Sequence, residues 1–204
     1  MIIGICGRKR CGKDTIADYL VDNYGFIKYN FGDLVKKICK IMFDFTDDQI
    51  SGNLKDSIDS RWNISPREVF QIFGTDFAQF ILPEKLPNLK DKIPSRGFWV
   101  QRFKNWYNST LLLNPKVKIV VSDVRFIHEY NCIKELNGLF IEVTRNCVEK
   151  DLSHSSENEI ESFRNKKIDL KINNNESKLI LYDKINIFIT SLIKLNDAFS
   201  YTNK

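Results

Sequence analysis

The chain has 204 residues, of which 43% are hydrophobic, 12% aromatic and 28% charged. That is enough apolar side chain to close the core of one ordinary domain, and too much for a disordered or low-complexity chain. The net charge of +5 suits a phosphate-bearing ligand as well as nucleic acid, and by itself chooses neither. The five cysteines, Cys6, Cys11, Cys39, Cys132 and Cys147, form no C-x-x-C pair. With His128 and His154 as the two histidines, no zinc spacing arises, and the cysteines read as reduced thiols in a cytoplasmic setting. The first apolar stretch, Met1 to Cys6, is too short and lacks the basic flank of a secretory signal. No apolar run approaches the ~20 residues of a membrane helix.

In chain order, Ile2 to Cys6 reads as a buried strand and Thr15 to Tyr24 as a helix, with Ile16, Leu20 and Tyr24 at four-residue spacing and Gly25 at its C-cap. Phe26 to Phe31 reads as a second strand. Leu34, Ile38 and Ile41, with lysines between them, predict an amphipathic helix to about Phe45. Thr46 to Asn63 is polar, a loop with one short helix at most. Ser65-Pro66-Arg67-Glu68 opens a helix directed towards Gly74, with Ser as N-cap and Pro at the first position. Pro83 to Pro94 reads as loop and Phe98 to Leu113 as an aromatic-rich helix. Val117 to Ser122 is a strand, Phe126 to Leu136 a helix and Leu139 to Thr144 a strand. The polar stretch from Arg145 to Arg164 follows, then a short strand at Ile168 to Ile172. The last helix runs from Glu176 to Leu195, with Leu179, Tyr182, Ile185, Ile189 and Ile193 on one side. Such alternation predicts an α/β fold with a mostly parallel sheet and helices on both faces.

Between the first strand and the first helix stands Gly7-x4-Gly12-Lys13, the spacing of a phosphate-binding loop. Its glycines let backbone N–H groups curl around anionic oxygens, and the helix behind offers its positive end. The lysine reaches the β- and γ-phosphates of a nucleotide. The residue after the lysine is Asp14, not the Ser or Thr whose hydroxyl ordinarily serves Mg²⁺, and Thr15 comes one place later. Ile119 to Asp123 is an apolar strand ending in an acid, as a metal-serving strand does, although an Asp there also caps helices.

Taken together, several segments resemble the deoxynucleoside monophosphate kinases of large phages and viruses. The blocks are Gly7-x4-Gly12-Lys13-Asp14-Thr15; Phe31-Gly32-Asp33-Leu34-Val35-Lys36; Pro66-Arg67-Glu68 through Gln71 to Gly74-Thr75-Asp76; Trp99-Val100; Asp123-Val124-Arg125-Phe126 with Glu129; and Arg145 followed by His154-x-Ser156-Glu157-x-Glu159. They keep the family's order from residue 2 to about 163, while Thr46 to Asn63 and Pro83 to Pro94 match nothing. The Ile-, Lys- and Asn-rich composition also suits a viral source.

This resemblance implies one three-layer P-loop kinase domain over residues 1–204, with an acceptor-binding insertion at about 32–113 and a lid at about 145–164. It implies transfer of phosphate from ATP to a deoxynucleoside monophosphate with Mg²⁺, and neither a stable nucleic-acid complex nor a membrane. Homodimer formation is compatible with the sequence and undecided by it. Gly7, Arg10, Gly12, Lys13, Asp14 and Thr15 are the expected ATP contacts, Asp14 and Asp123 the metal residues, and Lys13, Arg125 and Arg145 the catalytic group. Lys36, Arg67, Asp76, Arg125, Glu129, His154 and Glu157 are expected on the substrate.

Each has a plainer alternative. Lys36 belongs to a lysine-rich helix face, and Arg67 in a first helical turn opposes the helix dipole unless an acid compensates it. Arg125 and Glu129 have the spacing of a surface pair, Asp76 can merely cap or pair locally, and His154 and Glu157 lie in a cap-like pattern. Trp99, Phe103, Trp106 and Tyr107 suit a core better than a base-stacking platform. Animal-type phosphomevalonate kinases, with a similar phosphate loop and strand end, are the competing enzymatic reading; a nucleic-acid-binding P-loop protein is a further one.

Overall fold

The computed structural model describes residues 1–93, 96–146 and 166–202. In chain order its elements are β1 (Ile2–Cys6), α1 (Lys13–Tyr24), β2 (Ile27–Tyr29), α2 (Phe31–Phe43), α3 (Asp47–Ser51), α4 (Pro66–Gln71), α5 (Leu82–Lys85), α6 (Pro87–Lys90), α7 (Phe98–Leu113), β3 (Ile119–Val121), α8 (Ile127–Glu135), β4 (Leu139–Thr144), β5 (Leu170–Asn173) and α9 (Lys178–Thr202). The chain divides into two compact units, residues 1–29 with 116–204, and residues 30–115. The second spans the segment expected to bind the acceptor.

The first unit is a five-stranded sheet in the order β2-β3-β1-β4-β5, with every pairing parallel. Parallel strands need crossovers, and the strands of such sheets are covered on both faces. β1 accordingly has no exposed position. On one face Ile3, Ile5, Val120, Ile141 and Val143 pack with Ile16, Ala17 and Leu20 of α1 and Leu181, Ile185 and Ile189 of α9. On the other, Tyr130 of α8 lies against Phe140 at 4.3 Å between ring centroids. Gly4 pairs with Phe140 in register, and a Cβ there would lie 2.5 Å from the ring. Only glycine leaves room for it.

The second unit is helical. Phe31 of α2 and Phe103 of α7 meet at 5.4 Å between centroids, and both are buried. Trp99, also buried, donates its indole N–H to the carbonyl of Gly74 at 2.7 Å. Trp99 and Phe103 are therefore core, and Trp106 and Tyr107 lean on Phe103 at 6.0 and 6.2 Å.

Several boundaries differ from those read in the sequence. The second strand stops at Tyr29, because Phe31 is drawn into the core as the first residue of α2. α2 stops at Phe43, short of Phe45, where Asp44 turns left-handed at φ 51°. The polar stretch 46–63 holds α3, opened by a reciprocal Thr46–Gln49 capping box, and a 3₁₀ turn at Asn53–Asp56. The helix opened by Ser65 passes Gly74 and continues as π-helix over Ile72–Ile81. A Cβ on Gly74 would stand 3.2 Å from the Val35 side chain of α2. The stretch from Pro83 includes the helical turns α5 and α6, whose prolines stand in the first turn, where no N–H is required. In α9 the buried stripe is Leu181, Ile185 and Ile189, and Leu179 is 73% exposed. Tyr182 keeps its predicted inward place by stacking on Tyr19 at 3.9 Å.

Candidate active site

Three adjacent parallel strands, β3, β1 and β4, end side by side. Past their carboxyl ends come Ser122-Asp123, the Gly7–Gly12 loop and Arg145. This is the edge, at a reversal of strand order, where open α/β sheets bind ligands.

The loop has the shape its glycines permit. Gly7 and Gly12 take φ of 142° and 110°, and Arg10 takes 65°. A Cβ on Gly7 would lie 2.3 Å from the carbonyl oxygen of Val143, and one on Gly12 would lie 2.4 Å from the amide nitrogen of Asn174. Both positions favour glycine for φ, and Gly7 needs it for space as well, because a backbone carbonyl cannot move aside as the Asn174 side chain can. Lys13 is buried, and its ammonium donates to the carbonyls of Gly7 and Arg8, each at 2.7 Å. The loop thus carries a fixed cation at the start of α1. Arg10 is exposed and Thr15 half-buried.

Asp14 sits in a cluster. Its Oδ1 accepts from the Ser122 hydroxyl at 2.9 Å and lies 2.9 Å from the Lys28 ammonium, which also reaches Asp18 at 2.8 Å. Desolvation raises its carboxyl pKa, but hydrogen bonds from Lys28 and Ser122 and the nearby lysine charges outweigh it and hold the group below the usual range. The cation beside Asp14 is therefore a lysine of β2. Among the described residues no group of three or more His, Cys, Asp or Glu side chains converges as a metal cage. That still fits Mg²⁺, which is commonly held by one or two carboxylates plus phosphate oxygens and water.

Arg125 is exposed, on the turn between β3 and α8. Glu129, only 4% exposed, accepts the backbone N–H groups of Arg125 at 2.8 Å and Phe126 at 3.1 Å. Its carboxylate acts on the turn that carries Arg125 instead of facing outward as half of a surface pair. Burial, then the charge of Asp123, pushes its pKa up to about 8. Asp123 is half-buried and Arg145 exposed. His154, Glu157 and the expected lid beyond Asn146 lie outside the described residues.

In the second unit, Arg67 directs Nε and Nη2 onto the carboxylate of Asp56. That acid offsets a cation in the first turn of α4. Lys36 is half-buried, 3.9 Å from Asp33, and Asp76 is exposed on the π-helical stretch. Within the stretch that matched nothing, buried Asp59 accepts from Gln49 at 2.7 Å and from the Arg61 backbone at 2.8 Å and guanidinium at 2.7 Å. Those bonds, Arg61 first, hold its carboxyl far below the usual range. Cys6, Cys11, Cys39 and Cys132 are buried, and burial pushes the Cys6 and Cys39 thiols up to about 12 and 11. Such thiols are inert.

Lys28, Ser122 and Asn174 are the site residues the sequence did not reveal. None belongs to a spacing motif; parallel pairing of β2 and β3, and of β4 and β5, brings them to the loop.

A phosphate loop on a parallel sheet of this order, with an acid and an arginine at the flanking strand ends, defines a P-loop kinase fold. A dephospho-CoA kinase from Campylobacter jejuni has this fold, with a TM-score of 0.51 at 19% identity over 96% of this chain and 98% of that one. The sequence profile described as deoxynucleotide monophosphate kinase matches residues 1–57 and 41–185. A protein of Acanthamoeba polyphaga mimivirus that is named as a deoxynucleotide monophosphate kinase is 36% identical over 199 residues, 96% of this chain and all of that one. The chain belongs to the deoxynucleotide monophosphate kinase family.

Proposed function

We propose that the protein transfers the γ-phosphoryl group of ATP to the phosphate of a deoxynucleoside monophosphate, with Mg²⁺, giving a deoxynucleoside diphosphate and ADP. The observation that carries this is the buried Lys13 within a loop turned on two glycines at positive φ, flanked at the same sheet edge by Asp123 and Arg145. Phosphoryl transfer leaves the protein little covalent chemistry, so positioning and neutralisation of charge are its work. The N–H groups of residues 7–13 and the Lys13 ammonium hold the donor phosphates, with Arg10 and Thr15 beside them. Arg125 and Arg145 steady the charge of the transferred group. Lys36, Arg67 and Asp76 serve the acceptor, Arg67 by turning its fork from Asp56 to the phosphate. His154 and Glu157 keep their assignment to the acceptor from the family pattern.

Asp14 and Asp123 are the carboxylates that would hold Mg²⁺, which would supply neutralisation of phosphate charge there. Among the described residues no helix is long and apolar enough to cross a membrane, and the buried thiols suit a reducing compartment. A cytoplasmic enzyme is thus part of the proposal.

The test is ADP release with Mg-ATP and each of the four common deoxynucleoside monophosphates, with phosphomevalonate and no acceptor as controls. Turnover with at least one deoxynucleotide, abolished in Lys13→Ala, is expected. Turnover with phosphomevalonate alone, or ATP loss independent of acceptor, would refute the proposal.

A further inference from the structure

The end of β5 touches the phosphate loop and the end of β4 through two neighbouring side chains. Asn174, only 8% exposed, donates its amide to the carbonyl of Cys11 at 2.9 Å, across 163 residues of sequence. Its own backbone N–H is bound to the carbonyl of Thr144 at 2.8 Å. The next residue, Asn175, accepts the backbone N–H of Asn146 at 2.8 Å. Arg145 lies between those two anchored positions. At the other end of the loop, the carbonyl of Val143 in β4 fills the place a Gly7 side chain would need. Both glycines of the loop therefore close against the ends of β4 and β5, one on a backbone carbonyl and the other on the Asn174 amide.

We infer that Asn174 and Asn175 form a positioning unit that fixes the phosphate loop and Arg145 to one another, so that donor binding and phosphoryl transfer share one support. The inference rests on the kinase reading above. Two properties of the site argue for it. A buried carboxamide must find partners, and Asn174 spends its donor on the carbonyl immediately before Gly12, where the loop turns into α1. A sheet end ordinarily needs no side chain to hold the residue two places past a neighbouring strand, yet Asn175 binds Asn146, the residue after Arg145, in this way. The two asparagines act at different points. Asn174 sets the loop's curvature and hence nucleotide affinity, whereas Asn175 sets the backbone around Arg145 and hence the transfer rate.

The experiment compares Asn174→Ala, Asn175→Ala, Arg145→Ala and the Asn175→Ala/Arg145→Ala double variant. It uses ADP with Mg²⁺ as the calorimetric probe, thermal unfolding, and steady-state turnover on the best deoxynucleotide acceptor. Loss of one intramolecular hydrogen bond corresponds to roughly a threefold to tenfold change. Asn174→Ala is expected to raise the ADP Kd roughly threefold to tenfold. Asn175→Ala is expected to lower kcat roughly threefold to tenfold with Kd within about twofold of wild type, and to have no further effect once Arg145 is alanine. That last result separates positioning from general destabilisation, which would persist in the double variant. Asn175 is exposed, so its variants keep the fold and carry the test if Asn174→Ala does not fold. An unchanged ADP Kd in Asn174→Ala, or equal loss from Asn175→Ala with and without Arg145, would overturn the inference. A wild-type protein that phosphorylates no deoxynucleotide overturns the kinase reading instead.

Discussion

Gly12→Ala is the substitution whose cost follows most directly from the loop. Gly12 stands at φ 110°, and a Cβ there would lie 2.4 Å from the Asn174 amide nitrogen. A non-glycine residue in such a conformation costs about 1–3 kcal/mol. Relief of the clash moves Asn174 by roughly 1 Å from an ordinary contact distance, which breaks its 2.9 Å bond to Cys11 at about another 1 kcal/mol. The sum is about 2–4 kcal/mol, equivalent for a protein of this size to a Tm lower by roughly 4–16 °C. The strain falls in the loop itself, so the variant also loses the stabilisation by ADP that reaches about 2.7 kcal/mol at a hundredfold excess over Kd. Thermal unfolding with and without Mg-ADP reads both effects. A variant within 1 °C of wild type, and stabilised by ADP to the same degree, would show that neither the φ nor the Asn174 contact constrains this loop.

Glu129 makes stability depend on pH. Its pKa rises from 4.5 to about 8 in the folded chain, so between those values the native state holds a proton that the unfolded chain has lost. Stability therefore falls as pH rises through that window, by no more than about 5 kcal/mol. Glu129→Gln keeps the acceptor for both backbone N–H groups and removes the decline; urea unfolding at pH 5 and 8 in EDTA checks this, and parallel declines in both proteins would contradict it. Lys28→Met frees Asp14 from a competing cation, lowering the Mg²⁺ needed for half-maximal turnover by up to about fivefold, the scale of an exposed ion pair; a higher requirement would show that Lys28 itself serves the phosphates. Trp99→Phe leaves the Gly74 carbonyl without its indole donor, destabilising by about 1–3 kcal/mol in denaturant melts; an unchanged midpoint would show that the π-helical stretch does not need this bond.

Much of this architecture is written locally. Strand β1, the Gly25 cap, helix α7 and strand β4 follow from apolar runs and caps, because both signals lie within a few residues of where they act. The phosphate loop was legible for the same reason, its glycines and lysine being fixed by spacing. The π-helical stretch was not, since its path past Gly74 depends on Val35 and Trp99, each over twenty residues away. Lys28 and Asn174 escaped for a related cause: strand pairing alone brings them to the loop. Glu129 was visible as an acid at the family interval from Arg125, but only the structure shows that, buried, it binds the backbone of the turn. The capping box of α3, by contrast, was present as Thr46-x-x-Gln49 in a segment whose polarity concealed it.

The most direct measurement follows the label from γ-³²P-ATP through a single turnover with Mg²⁺ and the four deoxynucleoside monophosphates, in wild type and Lys13→Ala. Label appearing on a deoxynucleoside diphosphate in wild type, and nowhere in Lys13→Ala, is the predicted result. Label released only as inorganic phosphate would contradict the assignment of this site to deoxynucleotide phosphorylation.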